Sequence, residues 1–485
     1  MSERPLRVAV IGAGMSGVLS AIKLREAGID DFTVYEKADR LGGTWRENTY
    51  PGIACDVPSH LYCYSFALNP EWTHRYSPGA EIQAYFEQVA RERDVERYIR
   101  FGDAVELMEY GNGRWRLTTE SGHRDEVDVV IAATGVLHQP SIPEIDRLDD
   151  FAGAVFHSAR WDHTVALDGA RIGVIGTGST AIQITSAVVD QAAHFSLFQR
   201  TAQWVLPSEN PAYTDDEKEH FRSDPLALGE LHREISEIFA EGFSNAVVDA
   251  ESPIMKMIEQ ACLDNLEQSI VDPELRDRLR PDYVAACKRL IISPDFYQAI
   301  QKPNAELVAN AIEHIEPSGV RTDDGRLHEL DVLVLATGFQ VDRFLRPIEV
   351  VGRGGVRLDD AWADRPTAYL SISVPEFPNL FMLNGPNGPV GNFSLIEVAE
   401  LQFAYIMQLV EQLRSGACTA VCPRQEATDA FENRRVAAAQ KTVWVTGCNS
   451  WYLDDRGIPA SWPWPFSRFR DEMAAPDLSA YDLRP

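Results

Sequence analysis

Two stretches decide the fold: Arg7-Val-Ala-Val-Ile-Gly-Ala-Gly-Met-Ser-Gly17, and Arg171-Ile-Gly-Val-Ile-Gly-Thr-Gly-Ser-Thr-Ala181. The first is a short apolar run, then Gly12, Gly14 and Gly17, then an amphipathic stretch that predicts a helix to about Ala27. A second apolar run, Phe32 to Tyr35, ends on Glu36. Strand, G-x-G-x-x-G, helix, strand, acid is the signature of a dinucleotide-binding turn. Its first glycine allows the tight turn, its second lets a pyrophosphate reach the backbone, and its third lets helix and strand pack closely. The helix N-terminus then offers unpaired N–H groups to the phosphates. A tight turn without a ligand is the plainer alternative.

The second stretch repeats the pattern. Gly176, Gly178, Ser179 and Thr180 open a predicted helix to about Val189, and a strand from His194 to Gln199 follows. The strand ends differ. Glu36 lies 24 positions after Gly12, and Arg200 lies 24 positions after Gly176. A carboxylate accepts hydrogen bonds from ribose hydroxyls and repels a 2′-phosphate; a guanidinium does the reverse. The first turn therefore suits a dinucleotide with free ribose hydroxyls and the second suits NADP, with a solvated surface arginine as the plainer reading of Arg200. A further echo supports two related modules. Asp128-Val-Val-Ile-Ala-Ala-Thr-Gly135 and Asp331-Val-Leu-Val-Leu-Ala-Thr-Gly338 each follow a hairpin-like stretch with a turn at Glu120-Ser-Gly122 or Asp323-Asp-Gly325.

The order of elements predicts an α/β chain of two nested Rossmann-like domains with a helical insertion. Residues 1–140 form the first part of one domain, 141–337 the second domain, and 338–485 the rest of the first with a C-terminal cap. The insertion spans about 213–285. Thr214-Asp-Asp-Glu217 reads as a capping box, and Ser252-Pro253 and Asp272-Pro273 as helix starts. It carries no catalytic constellation; a lid or substrate-shaping role stands beside plain packing.

At 485 residues, 45% hydrophobic and 24% charged, the chain has the profile of a globular protein with more than one domain. Its net charge of −28 argues against nucleic acid and anionic membranes as partners. No apolar run approaches the roughly 18 residues of a membrane span, and the N-terminus lacks a signal-peptide core. The seven cysteines form no C-x-x-C pair. That fits a reducing cytoplasm better than a disulfide framework, and Cys418 and Cys422 read as core thiols. Neither a histidine-rich metal motif nor G-x-S-x-G occurs, so no metal site and no serine hydrolase is expected.

Between the two modules stands Phe151-Ala-Gly153-Ala-Val-Phe-His157-Ser-Ala-Arg-Trp161-Asp162. Read alone, Phe151 and Trp161 are linker residues packing on the core. The full pattern, F-x-G-x-x-x-H-x-x-x-W-[P/D], resembles the fingerprint of the type I Baeyer–Villiger monooxygenases, relatives of the flavin-containing monooxygenases. The resemblance covers essentially the whole chain, least certainly the insertion. It implies FAD at the first turn and NADPH at the second. It also implies oxygen insertion next to a ketone carbonyl through a C4a-peroxyflavin, to give an ester or lactone, with O2 and a small ketone as the partners.

The same resemblance suggests roles. The stretch Gly42 to Tyr64, with Gly43, Thr44, Trp45, Asp56 and Tyr62, looks like the flavin-contacting loop. Gly385-Pro-Asn387 to Asn392 looks like the loop returning under the flavin. Cys287-Lys288-Arg289 is similar to the segment carrying the active-site arginine, which matches Arg289, and Asp56 matches the aspartate that holds it. A fixed cation would stabilise anionic oxygen in such a reaction. On its residues alone, Arg289 is as well read as half of a structural salt bridge. Arg200, Thr201 and Lys288 match contacts to the NADP phosphate, and Trp451 in Asn449-Ser-Trp-Tyr452 matches a residue lying against the nicotinamide nucleotide. The family pattern is broken after Trp451, where Pro459 lacks a following glycine, and in the Trp462-Pro-Trp464-Pro tail. The segments around Trp204, Trp444 and Trp462 hint at an apolar pocket, and tryptophan is just as common in cores. An N- or S-oxygenating flavin monooxygenase is the main alternative. A dithiol reductase lacks its dithiol motif, and a non-enzymatic nucleotide sensor leaves Asp56 and Arg289 without a purpose.

Overall fold

The computed structural model describes residues 4–391 and 393–484. Each glycine-rich turn leaves the middle strand of a five-stranded sheet. The first sheet runs Leu380–Met382, Val129–Ala132, Val8–Ile11, Phe32–Tyr35, Ile99–Arg100, parallel at each pairing. The second runs Ala305–Val308, His194–Phe198, Arg171–Ile175, Val332–Leu335, Ala154–His157, again parallel. The central strands of each sheet are apolar runs, buried on both faces as parallel sheets require; Ile99–Arg100 at one edge of the first sheet, and Ala305–Val308 and Ala154–His157 at the two edges of the second, are partly exposed.

The Ala-Thr-Gly echo has a packing cause. In both sheets the strand ending in that triplet lies beside the strand leading into the glycine turn. A Cβ on Gly12 would fall 2.6 Å from the Ala133 carbonyl oxygen, and a Cβ on Gly176 would clash with that of Ala336. Both turn glycines also have positive φ, +101° and +117°. The turn can pass that close to the neighbouring strand only without a side chain.

The antiparallel excursions expected before each closing strand are present. Arg114–Thr119 pairs with Arg124–Val127, and Gly319–Thr322 with Leu327–Glu329, across turns at Gly122 and Gly325. The chain crosses between the sheets twice. The crossings pair through Ser141 N–H to the Gly338 carbonyl and Gln340 N–H to that of Gln139, both 2.9 Å. The helix Leu395–Arg414 then returns to pack on the first helix, Met15–Glu26.

The insertion holds helices Asp215–Ser223, Pro225–Phe239, Pro253–Ser269 and Pro273–Leu279. Thr214 and Glu217 form the expected capping box, and Asp272 caps its helix. Ser252 precedes Pro253 without a side-chain cap. One expectation needs correction. Cys287 and Cys448 form a disulfide, and the other five cysteines are free and buried. The partners lie 161 residues apart in sequence, so no local spacing announces the pair. Trp204, Trp444 and Trp462 are core residues, each at most 6% exposed, packed in two separate clusters. Among the described residues no helix is long and apolar enough to cross a membrane, and no cluster of ligating side chains suits a metal.

Candidate active site

The two phosphate turns are built alike. Helix Met15–Glu26 starts after Gly14 and helix Ser179–Val188 after Gly178, and neither has a side-chain cap. Their first N–H groups are left for a ligand anion. Gly17 passes so close to the Gly12 carbonyl that a Cβ there would clash with it. The space beside Gly178 is open, and Ala181 takes the third position, buried. Ser179 and Thr180 form the first helical turn.

Glu36 is 4% exposed, and its carboxylate accepts the N–H groups of Ala13 at 2.7 Å and Ala38 at 3.0 Å. The loop after it brings Gly43 against the first turn, where a Cβ would lie 3.0 Å from Gly14 Cα. Thr44 and Trp45 open a short helix, and the Trp45 indole N–H donates to the Tyr62 hydroxyl at 3.1 Å. Burial pushes the Tyr62 phenol well above its ordinary range.

The returning loop reaches the first helix at Asn384. Asn384 donates to Ser16 Oγ on the first helix at 3.3 Å. The buried side-chain oxygens of Asn384, Asn387 and Ser394 have no partner among the described residues. Buried polar atoms without partners are costly; unpartnered acceptors beside the first glycine-rich turn fit a ligand rich in polar groups, such as a flavin dinucleotide. Asn392 lies outside the described residues.

At the second turn, Arg200 and Lys288 form no ion pair among the described residues. Burial first, and the Arg200 charge second, push the Lys288 ammonium below its ordinary value. Asp282 only partly offsets this; two neighbouring cations without an ion-pair partner among the described residues favour an anion, which fits a 2′-phosphate. Thr201 accepts the Thr177 hydroxyl through its carbonyl at 2.9 Å. Trp451 is 40% exposed and packs on Tyr452 with ring centroids 4.1 Å apart.

Arg289 and Asp56 are brought together although they are remote in sequence. Arg289 Nε and Nη2 donate to one Asp56 oxygen at 3.1 and 2.5 Å, and Nη1 donates to the Gly391 carbonyl at 3.0 Å. Burial opposes the charge, but Asp56 more than offsets it and holds the guanidinium protonated. The Tyr452 hydroxyl also interacts with the guanidinium. Both charged groups open into a cavity walled by Leu206, Phe239, Phe243, Leu290, Ile292 and Phe393. Phe239 and Phe243 come from the insertion, where the helix widens at Ala240–Ser244 around Gly242. A more open cleft of about 390 Å³ between Gly52–Ala54 and Asn210 brings no cation and carboxylate together.

Tyr452 and the two phenylalanines were not singled out from the sequence. Tyr452 stands beside Trp451 in the same short motif, a usable signal; apolar residues on amphipathic helices read as packing.

The fingerprint lies away from the cavity. His157 Nδ1 accepts the Ala159 N–H at 3.1 Å, so its Nε2 donates to the Gly338 carbonyl at 3.0 Å, at the crossing between the sheets. Trp161 packs edge-on against Phe156, and Asp162 accepts the N–H and hydroxyl of Thr164. A Cβ on Gly153 would lie 2.6 Å from the Phe151 ring and clash with the Asp331 carbonyl.

Comparison with known proteins gives a consistent picture. The family model described as FMO-like, flavin-binding monooxygenase-like, matches residues 5–347. An uncharacterized monooxygenase of Mycobacterium tuberculosis is 49% identical, over 100% of this chain and 97% of that one. A Baeyer-Villiger monooxygenase of Streptomyces coelicolor is 40% identical, over 99% of this chain and 93% of that one. Among solved structures, cyclohexanone monooxygenase from Rhodococcus sp. Phi1 bound to NADP+ superposes with a TM-score of 0.88 at 29% identity, covering 99% of each chain.

Proposed function

This chain belongs to the flavin-binding monooxygenase-like family, and from that premise we propose that it is an NADPH-dependent Baeyer–Villiger monooxygenase acting on an apolar ketone. In this reading residues 1–140 and 338–485 hold FAD and residues 141–337 hold NADPH. Gly12, Gly14, Gly17, Glu36, Gly43, Thr44, Trp45 and Tyr62 hold the flavin dinucleotide, joined by Asn392. Gly176, Gly178, Ser179, Thr180, Arg200, Thr201, Lys288 and Trp451 hold the nicotinamide dinucleotide.

Bound FAD, reduced by NADPH, supplies activated dioxygen. The chain's own residues do the rest. Arg289 is the catalytic cation: it stabilises the negative charge that develops on oxygen as a ketone is attacked. Asp56 and the Gly391 carbonyl fix the direction of its planar fork. The apolar wall excludes water, which strengthens that interaction and protects the reactive oxygen. One oxygen atom enters next to the carbonyl to give an ester or lactone, and the other leaves as water.

The observation that carries the proposal is the Arg289–Asp56 pair at the floor of an otherwise apolar cavity. The test is a panel of ketones, sulfides and amines with NADPH, read by mass spectrometry of the products, for the native chain and Arg289→Ala. The expected result is ester from ketones, lost in Arg289→Ala while flavin reduction persists. Efficient sulfide or amine oxidation with no ester, unchanged in Arg289→Ala, overturns the reading in favour of heteroatom oxygenation.

A further inference from the structure

Cys287, Lys288 and Arg289 are consecutive, and Cys287 is bonded to Cys448, four residues before Tyr452. Tyr452 in turn interacts with Arg289. The arginine segment and the C-terminal cap are thus tied twice, once through sulfur and once through the guanidinium itself.

We infer that the cap segment 443–452 is a positioning element for Arg289, and that the Cys287–Cys448 bridge is a thiol-redox site that sets whether it holds. The inference rests on Arg289 acting at the reacting end of the cavity.

The two ends of the segment are fixed differently from its middle. Val443, Trp444 and Tyr452 are buried in one cluster with Ala285, Ala286 and Leu290. The Val443 N–H donates to the Val247 carbonyl at 3.1 Å, which anchors the start of the segment to the insertion. Between them, Thr446, Gly447 and Asn449 are exposed. Among the described residues, Gly447, Cys448 and Asn449 make no hydrogen bond to another part of the chain. The sulfur bridge is what ties this middle stretch down, with the two Cα atoms 6.1 Å apart. Cys287 is fully buried, while Cys448 sits at the margin of burial, in the exposed stretch. Cys448 is therefore the sulfur that a reductant reaches first.

Tyr452 is also sterically matched to its place. A Cβ on Gly391 would clash with the Tyr452 hydroxyl, so the residue whose carbonyl binds Arg289 must be glycine while the tyrosine is in position. Tyr452 thus touches both the cation and one of the groups that orient it.

The redox step balances as ordinary thiol–disulfide exchange. A dithiol reductant attacks Cys448 Sγ as a thiolate, the S–S bond breaks, and Cys287 leaves as a thiolate that takes up a proton. The reductant's second thiol then displaces Cys448, and the reductant departs as a disulfide. Two electrons and two protons pass to the protein. In a reducing compartment a bridge so placed cycles with the thiol pool, the usual behaviour of a cytosolic disulfide. Once it opens, the middle of the cap is no longer tied down, Cys287 beside Lys288 and Arg289 loses its covalent tether, and the approach of Tyr452 to Arg289 is held by the burial of its ring alone.

The experiment uses the full-length FAD-loaded protein, as isolated and after dithiothreitol. Alkylation under denaturing conditions, read by intact mass, should label five cysteines before reduction and seven after. Hydrogen exchange should quicken in residues 443–453 on reduction, and Cys448→Ser should match the reduced form and no longer respond to dithiothreitol. Ketone turnover should fall about tenfold in kcat on reduction, the loss typical of removing a group that orients an active one. Tyr452→Phe should show the same loss in either redox state without faster exchange at the bridge. Cys418→Ser should respond as the native chain does. Seven labels before reduction, unchanged exchange, or undiminished kcat on reduction each overturns the inference. If reduction loosens the cap but no ketone is oxygenated in either state, the proposed function fails and with it the assigned purpose of the bridge.

Discussion

Arg289 has no idle end. Two of its nitrogens are engaged by one Asp56 oxygen and the third by the Gly391 carbonyl. A lysine has no planar fork and cannot make both contacts from one position. In the proposed reading Asp56 is a positioning residue, and Asp56→Asn should keep the shape while removing the charge that holds the guanidinium. The expected outcome is a fall in kcat of about 10- to 100-fold for ketone oxygenation, with flavin content unchanged by absorbance. Equal kcat in the two proteins would remove Asp56 from the machinery. Lys288, the residue before Arg289, should give NADP+ binding a pH dependence. Its ammonium sits below the ordinary lysine value because of burial and the neighbouring Arg200 charge. A bound 2′-phosphate, already a dianion above its second pKa of about 6, favours the charged amine. As pH rises through the lowered pKa, the free protein loses that charge and binding must restore a proton, so affinity falls. The dissociation constant for NADP+ should therefore rise on the alkaline side, and Lys288→Arg should flatten that limb in an isothermal titration series. A flat limb in the native protein would show that Lys288 does not meet the phosphate.

At the scale of elements, the fingerprint between the modules is structural mortar. Gly153 lets the chain pass between the Phe151 ring and the Asp331 carbonyl, and His157 ties that strand to the crossing at Gly338. Gly153→Ala should cost about 1–3 kcal/mol through overpacking, against backbone that cannot yield. Asp162→Ala, at an exposed turn, should cost about 1 kcal/mol or less. Thermal denaturation of the two variants reads the difference, and equal midpoints would sink the packing account. The same scale shows what was legible in the sequence. The two turns, their helices and the Ala-Thr-Gly strands could be read because each constraint is local: a glycine at a forced φ, a period of apolar residues, an acid at a fixed offset. The Arg289–Asp56 contact was reachable only through a family likeness, since 233 residues separate the pair. The Cys287–Cys448 bridge and the Phe239–Phe243 wall were missed because they join distant segments whose residue types suit an ordinary core equally well. The tryptophan segments left both readings open for the same reason: Trp204, Trp444 and Trp462 fill cores, while Leu206, two residues from Trp204, joins phenylalanine and aliphatic chains in the cavity wall.

Across the whole molecule, the two sheets communicate through few covalent paths. The chain crosses between them at the paired segments near Pro140 and Phe339, and the insertion and cap meet beside Arg289. The surface as a whole is strongly anionic at −28, so it gives no general attraction to a phosphate. In the proposed reading, recognition of the extra phosphate comes from Arg200 and Lys288 acting locally. A ligand that binds only the folded chain stabilises it by RT ln(1 + [L]/Kd), about 2.7 kcal/mol at one hundred times Kd. NADP+ should therefore raise the melting midpoint of the FAD-loaded protein, and NAD+ at the same concentration should raise it far less. Arg200→Ala should erase most of that difference while leaving the midpoint without ligand within about 0.5 kcal/mol of native, because Arg200 makes no ion pair among the described residues. If NAD+ and NADP+ stabilise the native chain equally, the asymmetry between Glu36 and Arg200 does not select the cofactor, and the assignment of the second turn to NADPH falls with it.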